Sequence, residues 1–369
     1  MNPRFYLRPL DIGAAHDLPA DARRLAGGPL SFARCAVVWR EDGQVVAREQ
    51  IPAVALCDVL AVRDPALAVE GRVRLDRLTA ARAPFAGVAM DPPRIMGVVN
   101  VTPDSFSDGG DRFDAGAAVA DGLAMVEGGA SIIDVGGEST RPGADPVAEE
   151  EELRRSLPVV KGLADQRVVV SIDTRRARVM AEALSAGARA INDVTALMGD
   201  GDSLSVAAGS DASVVLMHMQ GDPRTMQAEP RYQDAALDIY DFLAERVAAC
   251  EAAGIPRARI ALDPGIGFGK TADHNLEVLD QLALYHDLGC PLLLGVSRKS
   301  FIGKLSRGEP PKQRLAGSLA AALAGLARGA QIVRVHDVAE TVQAIAIWAA
   351  IVGAAPAGTD EGQQISVGV

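Results

Sequence analysis

The stretch VVVSIDTRRARVMAEALSAGARAIND, residues 168–193, contains the unit from which the fold can be predicted. Two short apolar runs, ending at Asp173 and Asp193, flank an alanine-rich segment that is typical of a helix. A strand, a helix and a second strand in this order indicate the βαβ unit of a parallel sheet. Because both runs lack the polar alternation of a strand with one face in water, we predict strands buried on both faces.

Apolar runs of this kind recur from about Ile95 onward, each ending in polar or glycine-rich residues. The eight runs are IMGVVN to Asn100, SIIDVGG to Gly137, VVVSID to Asp173, AIND to Asp193, SVVLMHM to Met219, IALD to Asp263, PLLLGVSR to Arg298 and IVRVHD to Asp337. Eight buried parallel strands with intervening helices predict an α/β fold of the (β/α)8 TIM-barrel type, with the active site at the strand ends. A doubly wound open sheet is the alternative, because the strand count alone does not exclude it.

The sequence predicts three regions. Residues 1–92 do not follow the strand and helix rhythm and predict a small N-terminal α+β appendage of unknown role, with a hairpin around the Asp42-Gly43 turn. Residues 93–353 are the predicted barrel. Residues 354–369 are small and polar, and we expect a disordered tail.

Composition and charge exclude several classes of protein. The 369 residues are 49% hydrophobic, yet no apolar run approaches the roughly 18 residues of a membrane span. We therefore expect a soluble, cytoplasmic protein without a membrane partner. The net charge of −11 argues against a nucleic-acid partner, so an anionic substrate needs a locally positive pocket. Four cysteines without CxxC spacing indicate neither a zinc site nor a disulfide framework.

Two polar segments follow the first two predicted strands. NVTPDSFSDGG, residues 100–110, is too polar for a core and too long for a minimal βα turn, so we interpret it as an active-site loop. An ordinary surface loop is the alternative. GGESTRPG, residues 136–143, offers hydroxyl and guanidinium donors that could bind an anion.

Asp173, Asn192 and Asp263 lie at the ends of three different predicted strands, in apolar surroundings where a carboxylate is costly unless it is paired. Each could be a helix cap or a satisfied structural group. Their convergence on one barrel mouth favours a different interpretation. Two carboxylates and an amide can bind a heterocycle edge that presents N–H and NH₂ donors, as a pterin or guanine does.

The glycine-rich stretch DPGIGFGKT follows a predicted strand and ends in Gly269-Lys270-Thr271, which resembles a phosphate-binding P-loop. The P-loop pattern requires glycine where this chain has Pro264. The sequence therefore argues against a nucleoside-triphosphate site, and the glycines are expected to form a turn or to admit a flat ligand.

Cationic residues cluster after the last two predicted strands. SRKS places Lys299 and Ser300 after the seventh, and RVHD places Arg334 and His336 on one side of the eighth. Phosphate sites of such barrels often lie near these strands, so an anion is the expected partner. Pairing of a buried Arg334 with a neighbouring Asp is the alternative. Met217 could form part of a ligand wall, although a methionine in a strand is commonly plain core.

Taken in order, the motifs of the barrel region resemble dihydropteroate synthase. They are NVTPDSFSDGG, GGESTRPG, SIDT, INDV, MHMQG, LDPGIGFGK, SRKSFIG and RVHD, and they span about Ile95 to Trp348. The resemblance implies condensation of a pterin diphosphate with 4-aminobenzoate, with Mg²⁺ as cofactor. The N-terminal appendage lies outside it.

The resemblance also implies roles for individual residues. The pterin-binding residues are Asp173, Asn192, Asp263, Lys299 and, as a wall, Met217. The diphosphate-binding residues are Asn100, which also ligates Mg²⁺, Thr140, Arg334 and His336. The aminobenzoate site is formed by Phe106, Arg141, Pro142, Lys299 and Ser300. The candidate catalytic residues are Asn100, Lys299, Arg334 and His336.

The family's mechanism implies a dissociative substitution at the pterin methylene, which needs electrostatic stabilisation of the departing pyrophosphate and no strong nucleophile. Sulfonamides resemble 4-aminobenzoate and are expected to compete with it. We also expect a homodimer. A corrinoid-dependent pterin methyltransferase and a non-catalytic pterin-binding protein are the two alternatives; the second would bind pterin and release no pyrophosphate.

Overall fold

The computed structural model describes residues 4–101, 114–139, 147–221 and 225–354. Its N-terminal part contains two small antiparallel sheets, with strand orders β1-β5-β6 and β2-β4-β3, and two helices. The strands are β1 (Arg4–Leu10), β2 (Gly13–Ala14), β3 (Arg23–Arg24), β4 (Leu30–Phe32), β5 (Arg34–Glu41) and β6 (Gln44–Pro52). The helices are α1 (Leu56–Arg63) and α2 (Pro65–Thr79).

The predicted hairpin is formed by β5 and β6. Glu41 pairs with Gln44 at its end, so the loop consists of Asp42 and Gly43 alone. Both loop residues have positive φ, 46° and 80°, as the tight hairpin turn that favours Asp-Gly requires. The predicted hairpin is therefore confirmed. It could be predicted from sequence because the Asp-Gly turn depends on only four neighbouring residues.

Eight parallel strands form the second part of the molecule. They are β7 (Arg94–Asn100), β8 (Ile132–Gly136), β9 (Val170–Asp173), β10 (Ala190–Asp193), β11 (Ser213–Met217), β12 (Ile260–Asp263), β13 (Leu293–Leu294) and β14 (Ile332–Val335). Their order is β12-β11-β10-β9-β8-β7-β14-β13. A parallel bridge between Leu262 and Leu292 joins the two edges of this sheet. The barrel prediction is thereby confirmed over the open sheet.

Helices connect the strands on the outside of the barrel. They are α3 (Ala115–Glu127), α4 (Glu149–Asp165), α5 (Ala177–Ser185), α6 (Ser203–Ala208), α7 (Ala235–Ala252), α8 (Ala272–Asp280), α9 (Ser300–Leu305), α10 (Leu315–Leu326) and α11 (Val338–Ile351). Asp114 caps α3 by accepting hydrogen bonds from the N–H groups of Gly116 and Ala117. Over the described ranges, no helix combines the length and the apolarity that crossing a membrane requires.

The barrel strands are buried on both faces, as their sequences predict. Every residue of β8 to β12 is buried. Phe85 and Met90 pack against the inward side chains at the base of the barrel. This short segment lies within the range predicted as appendage, yet its side chains close the bottom of the barrel core.

The seventh strand is shorter than its apolar run. The run PLLLGVSR extends to Arg298, with Arg298 itself expected after the strand, whereas β13 consists of Leu293 and Leu294 alone. Arg298 has a φ of 59°, a left-handed conformation that cannot continue a strand. Its N–H donates to Ser318 Oγ at 2.8 Å, off the strand ladder. Arg298 therefore lies after the strand, as expected, but the apolar run does not reveal that the ladder already ends at Leu294.

A buried polar cluster joins the appendage to the barrel. The side chain of Asp287 is wholly buried and accepts hydrogen bonds from Arg74 Nη1 at 2.6 Å and from Tyr240 OH at 3.0 Å. The N–H of Leu7 lies 3.4 Å from the same oxygen. Arg74 and Leu7 belong to the appendage, whereas Asp287 and Tyr240 belong to the barrel, so the two parts share a desolvated ion pair.

Candidate active site

The carboxyl ends of the barrel strands bring the polar residues predicted from the sequence to one mouth. Register places Asn192 opposite Asp173, and Asp263 opposite Met217. These four residues are buried, with at most 7% of their surface exposed. Asn100 at the end of β7 and Arg334 in β14 are partly exposed at the same mouth. Parallel strands of a closed barrel end on one face, so residues far apart in sequence meet there.

A network of ions lies at the centre of this mouth. Arg334 donates from Nε to Asp134 Oδ2 at 2.6 Å and from Nη2 to Asp173 Oδ2 at 2.7 Å. Asn192 Nδ2 also donates to Asp134 Oδ2, at 2.9 Å. Arg334 is thus paired with buried carboxylates, which is the alternative that the sequence left open. Its contact with a diphosphate remains a prediction.

Asp173 has an unusual electrostatic environment. Burial raises the pKa of its carboxyl to about 7; Arg334 opposes the rise, and the negative charge of Asp134 adds to it. Asp173 Oδ1 is buried and has no hydrogen-bond partner within the described part of the chain. A buried carboxylate oxygen without a partner is costly, and it is available to accept a hydrogen bond from a ligand.

Lys299 lies at the mouth immediately before α9. Its Nζ donates to the carbonyl of Ile266 and lies 4.2 Å from the centroid of the Phe268 ring. Burial lowers the pKa of Lys299 to about 8, and the negative charge of Asp263 opposes this shift. Burial likewise raises the pKa of Asp263, and Lys299 opposes that rise. The two groups stabilise each other's charged forms inside the mouth.

The loop after β12 requires glycine at Gly267. Its φ is 84°, and a Cβ there would lie 2.8 Å from Lys299 Cδ. The turn therefore lets the Lys299 side chain pass close to the backbone, which an L-residue would obstruct. The glycine at position 267 is thus explained by the close passage of Lys299, and not by phosphate binding.

Three consecutive residues after β13, from Ser297 to Lys299, contact three different neighbours. Ser297 Oγ lies 3.0 Å from His336 Nδ1 and accepts from the His336 N–H at 3.2 Å. Arg298 pairs with Asp337, and Lys299 reaches the loop after β12. Ser300, predicted to line the aminobenzoate site, is the exposed first residue of α9.

Asn100 and Asp173 border a narrow space beside Gly136. A Cβ built on Gly136 would lie 3.7 Å from Asn100 Oδ1 and 3.7 Å from Asp173 Oδ2. The glycine leaves room between an amide oxygen and a carboxylate oxygen. Such oxygen donors fit Mg²⁺, which commonly takes one or two protein ligands and completes its shell with phosphate oxygens and water. The described ranges hold no cluster of three His, Cys, Asp or Glu residues suited to a metal ion.

Four residues predicted for the site fall outside the described ranges: Phe106, Thr140, Arg141 and Pro142. The residues that flank the last three are described. Glu138 Oε1 accepts from the N–H of Val147 at 3.0 Å and pairs with Arg176 at 3.1 Å. Residues on either side of this segment are therefore bound to each other.

Two residues at the mouth were missed in the sequence. Asp134 lies inside the apolar run SIIDVGG, and a charged residue in such a run could have been predicted to need a buried partner. Its partner Arg334 is 200 positions away, so the pairing itself has no local signature. Phe268 was missed because an aromatic residue in a glycine-rich loop indicates packing as readily as contact with a lysine.

Known proteins resemble this chain over the barrel region. The family model "Pterin binding enzyme" matches residues 96–336. Dihydropteroate synthase of Escherichia coli strain K12 is 48% identical over 263 residues, 71% of this chain and 93% of that protein. The family model spans the barrel and leaves the appendage outside.

Two solved structures have the same fold. Yersinia pestis dihydropteroate synthase with a sulfonamide drug is 48% identical, with a TM-score of 0.68 over 71% of this chain and 95% of that one. Xanthomonas albilineans dihydropteroate synthase in complex with 7,8-dihydropteroate is 45% identical, with a TM-score of 0.66 over 73% and 98%. Because the family model covers residues 96–336 and the relatives are nearly half identical to it, the chain belongs to the dihydropteroate synthase family of pterin-binding enzymes.

Proposed function

We propose that this protein is a Mg²⁺-dependent transferase that condenses 6-hydroxymethyl-7,8-dihydropterin diphosphate with 4-aminobenzoate, giving 7,8-dihydropteroate and pyrophosphate. The observation that carries the proposal is the buried Asp173 Oδ1, which has no partner among the described residues and lies at the same mouth as the buried Asn192 and Asp263. A relative of this family has been solved with 7,8-dihydropteroate, which is the product of such a condensation.

The pterin ring would be bound by the buried polar groups of the mouth. Its amino-pyrimidinone edge presents N–H and NH₂ donors, and Asp173 Oδ1 and Asp263 are carboxylate acceptors for them. Asn192 can accept through its amide oxygen, because its Nδ2 already donates to Asp134. Met217 supports the proposal as an apolar wall next to Asp263 in register. Charged acceptors of this kind form the stronger hydrogen bonds.

The diphosphate would lie on the Asn100 side of the mouth, near the cations of the last strand. Asn100 would hold Mg²⁺ together with phosphate oxygens; when bound, the ion neutralises charge on the leaving group. Arg334 and His336 would contact the diphosphate, and Thr140 is the fourth candidate ligand. Ser297 Oγ accepts from the His336 N–H, so its hydroxyl proton can be directed to Nδ1. That arrangement places the ring proton on Nε2.

The reaction breaks the carbon–oxygen bond at the pterin methylene, and pyrophosphate leaves with the electron pair. The amine of 4-aminobenzoate then forms the new carbon–nitrogen bond and releases one proton. The carboxylates of Asp173 and Asp263 would stabilise positive charge that develops on the pterin. Lys299, adjacent to Asp263 and the Phe268 ring, would lie between the two substrates. Electrostatic stabilisation of this kind is commonly the largest contribution to catalysis.

A pyrophosphate-release assay tests the function. We expect release only when the pterin diphosphate, 4-aminobenzoate and Mg²⁺ are all present, with one pyrophosphate per dihydropteroate formed. Chelation of the metal should stop the reaction. Pterin binding without release would contradict the proposal and favour a non-catalytic binding protein. The expected homodimer remains a prediction that light scattering can check.

A further inference from the structure

Lys270 is buried directly behind the loop that supports Lys299. Its side chain is 2% exposed, and its Nζ lies within hydrogen-bond distance of three acceptors. These are Gly265 O at 2.9 Å, Phe268 O at 3.1 Å and His218 Nδ1 at 3.0 Å. A P-loop lysine would reach outward to phosphates, whereas this ammonium is directed into the carbonyls of its own loop.

The three acceptors match the three protons of an ammonium group. Burial lowers the pKa of His218 to about 2, so its ring is neutral and Nδ1 can accept. Its ring packs edge-on against Phe242, with 4.9 Å between centroids. Burial also lowers the pKa of Lys270, but Asp263 opposes the shift. A neutral amine has only two N–H donors, so the geometry favours the charged form of Lys270.

The loop held by Lys270 forms the Lys299 environment. Residues 265–268 provide the Ile266 carbonyl that accepts from Lys299 and the Phe268 ring that faces its ammonium. Lys270 binds the residues on either side of the Ile266 carbonyl, namely Gly265 and Phe268. A substitution of Lys270 would therefore alter the position of Gly265 and Phe268. These residues adjoin or form the groups that contact Lys299, namely the Ile266 carbonyl and the Phe268 ring.

We propose that Lys270, together with His218, is a positioning residue that fixes the loop 265–268 so that the Lys299 ammonium lies at the pterin site. The inference rests on the proposed function, because it assumes that Lys299 binds pterin. Lys270 touches no substrate itself. Its effect on binding should therefore depend on Lys299, which a merely structural role would not require.

A double-mutant cycle on pterin affinity tests this. Titration calorimetry with 6-hydroxymethylpterin is performed on the full chain carrying Lys270→Met, Lys299→Ala, or both. Lys270→Met should weaken binding about tenfold, the size of coupling typical of contacting residues. In the Lys299→Ala background the same change should have almost no further effect. Lys304→Met, on the exposed end of α9, is the matched control and should leave the affinity unchanged.

A lower melting temperature with unchanged pterin affinity would show that Lys270 serves the core only, and would overturn the proposal. Additive effects in the cycle would overturn it as well. If Lys270→Met does not fold, His218→Leu removes one of the three acceptors and should give the same dependence on Lys299; failure of both variants to fold would also contradict positioning. Wild-type protein that binds pterin without releasing pyrophosphate would contradict only the proposed function.

Discussion

In the mouth of the barrel, burial and neighbouring charges shift the pKa of Asp173, Asp263 and Lys299. Asp134, Asp173 and Asp263 face Arg334 and Lys299 in a buried space. Removal of any one charge therefore changes the pKa of its neighbours, and its effects should be visible in pH profiles as well as in rates.

The first prediction at this scale concerns Asp173. Asp173→Asn should weaken pterin binding by roughly 1–3 kcal/mol, the usual loss when a charged partner of a buried hydrogen bond is replaced. Calorimetry with the purified variant measures it. Asp165→Asn, on the exposed end of α4, is the control and should bind as the wild type does. Unchanged affinity in Asp173→Asn would exclude this carboxylate as a pterin ligand.

A second prediction is a bell-shaped pH profile for kcat/KM. Below about pH 7 Asp173 takes up a proton and loses its charged acceptor, and above about pH 8 Lys299 loses its proton. Activity should therefore fall on both sides of this window. Arg334 lowers the pKa of Asp173, so Arg334→Met should move the acid limb to higher pH. An acid limb unmoved in that variant would contradict the assignment to Asp173.

At the scale of elements, the loop after β12 is the part on which the Lys299 position depends. Gly267→Ala should lower kcat/KM by ~10- to 100-fold, because a Cβ 2.8 Å from Lys299 Cδ would displace the lysine that we propose binds the pterin. Gly308→Ala is the matched control. Gly308 also has a positive φ, of 80°, but no atom of the described residues lies within 4 Å of a Cβ built there. Equal losses of activity in the two variants would attribute the effect to backbone strain alone.

The elements were predictable where their cause is local. The β5–β6 hairpin follows from Asp42-Gly43, and the barrel strands follow from apolar runs ending in polar residues. The end of β13 was not predictable, because the left-handed Arg298 is held by Ser318, a residue of α10. In the mouth, the residues at strand ends could be named from sequence. The pairing of Asp134 with Arg334 could not, because it depends on the closure of the barrel.

At the scale of the whole molecule, the appendage and the barrel are joined through charge. Arg74→Met would leave Asp287 buried without its cation, and the Oδ1 of Asp287 already lacks a partner among the described residues. We expect a loss of about 3–5 kcal/mol in the free energy of unfolding, typical of one broken buried pair. Denaturant unfolding measures it. Arg72 is exposed and lies two residues before Arg74 in α2, so Arg72→Met is the control and should change the free energy of unfolding little.

That result would also define the role of the appendage. If Arg74→Met is strongly destabilised yet retains its kcat at low temperature, the appendage stabilises the barrel and takes no part in the reaction. A variant as stable as Arg72→Met would show that the appendage and the barrel are energetically independent.

The proposed function requires the barrel mouth to form a carbon–nitrogen bond between a pterin and an aromatic amine. The most direct measurement is mass spectrometry of the product formed from the pterin diphosphate and ¹⁵N-amine-labelled 4-aminobenzoate. We predict 7,8-dihydropteroate that retains the label, with no product from Lys299→Ala although its melting temperature is unchanged. Unlabelled or absent product from the wild type, or near-native activity of Lys299→Ala with unchanged stability, would contradict this account.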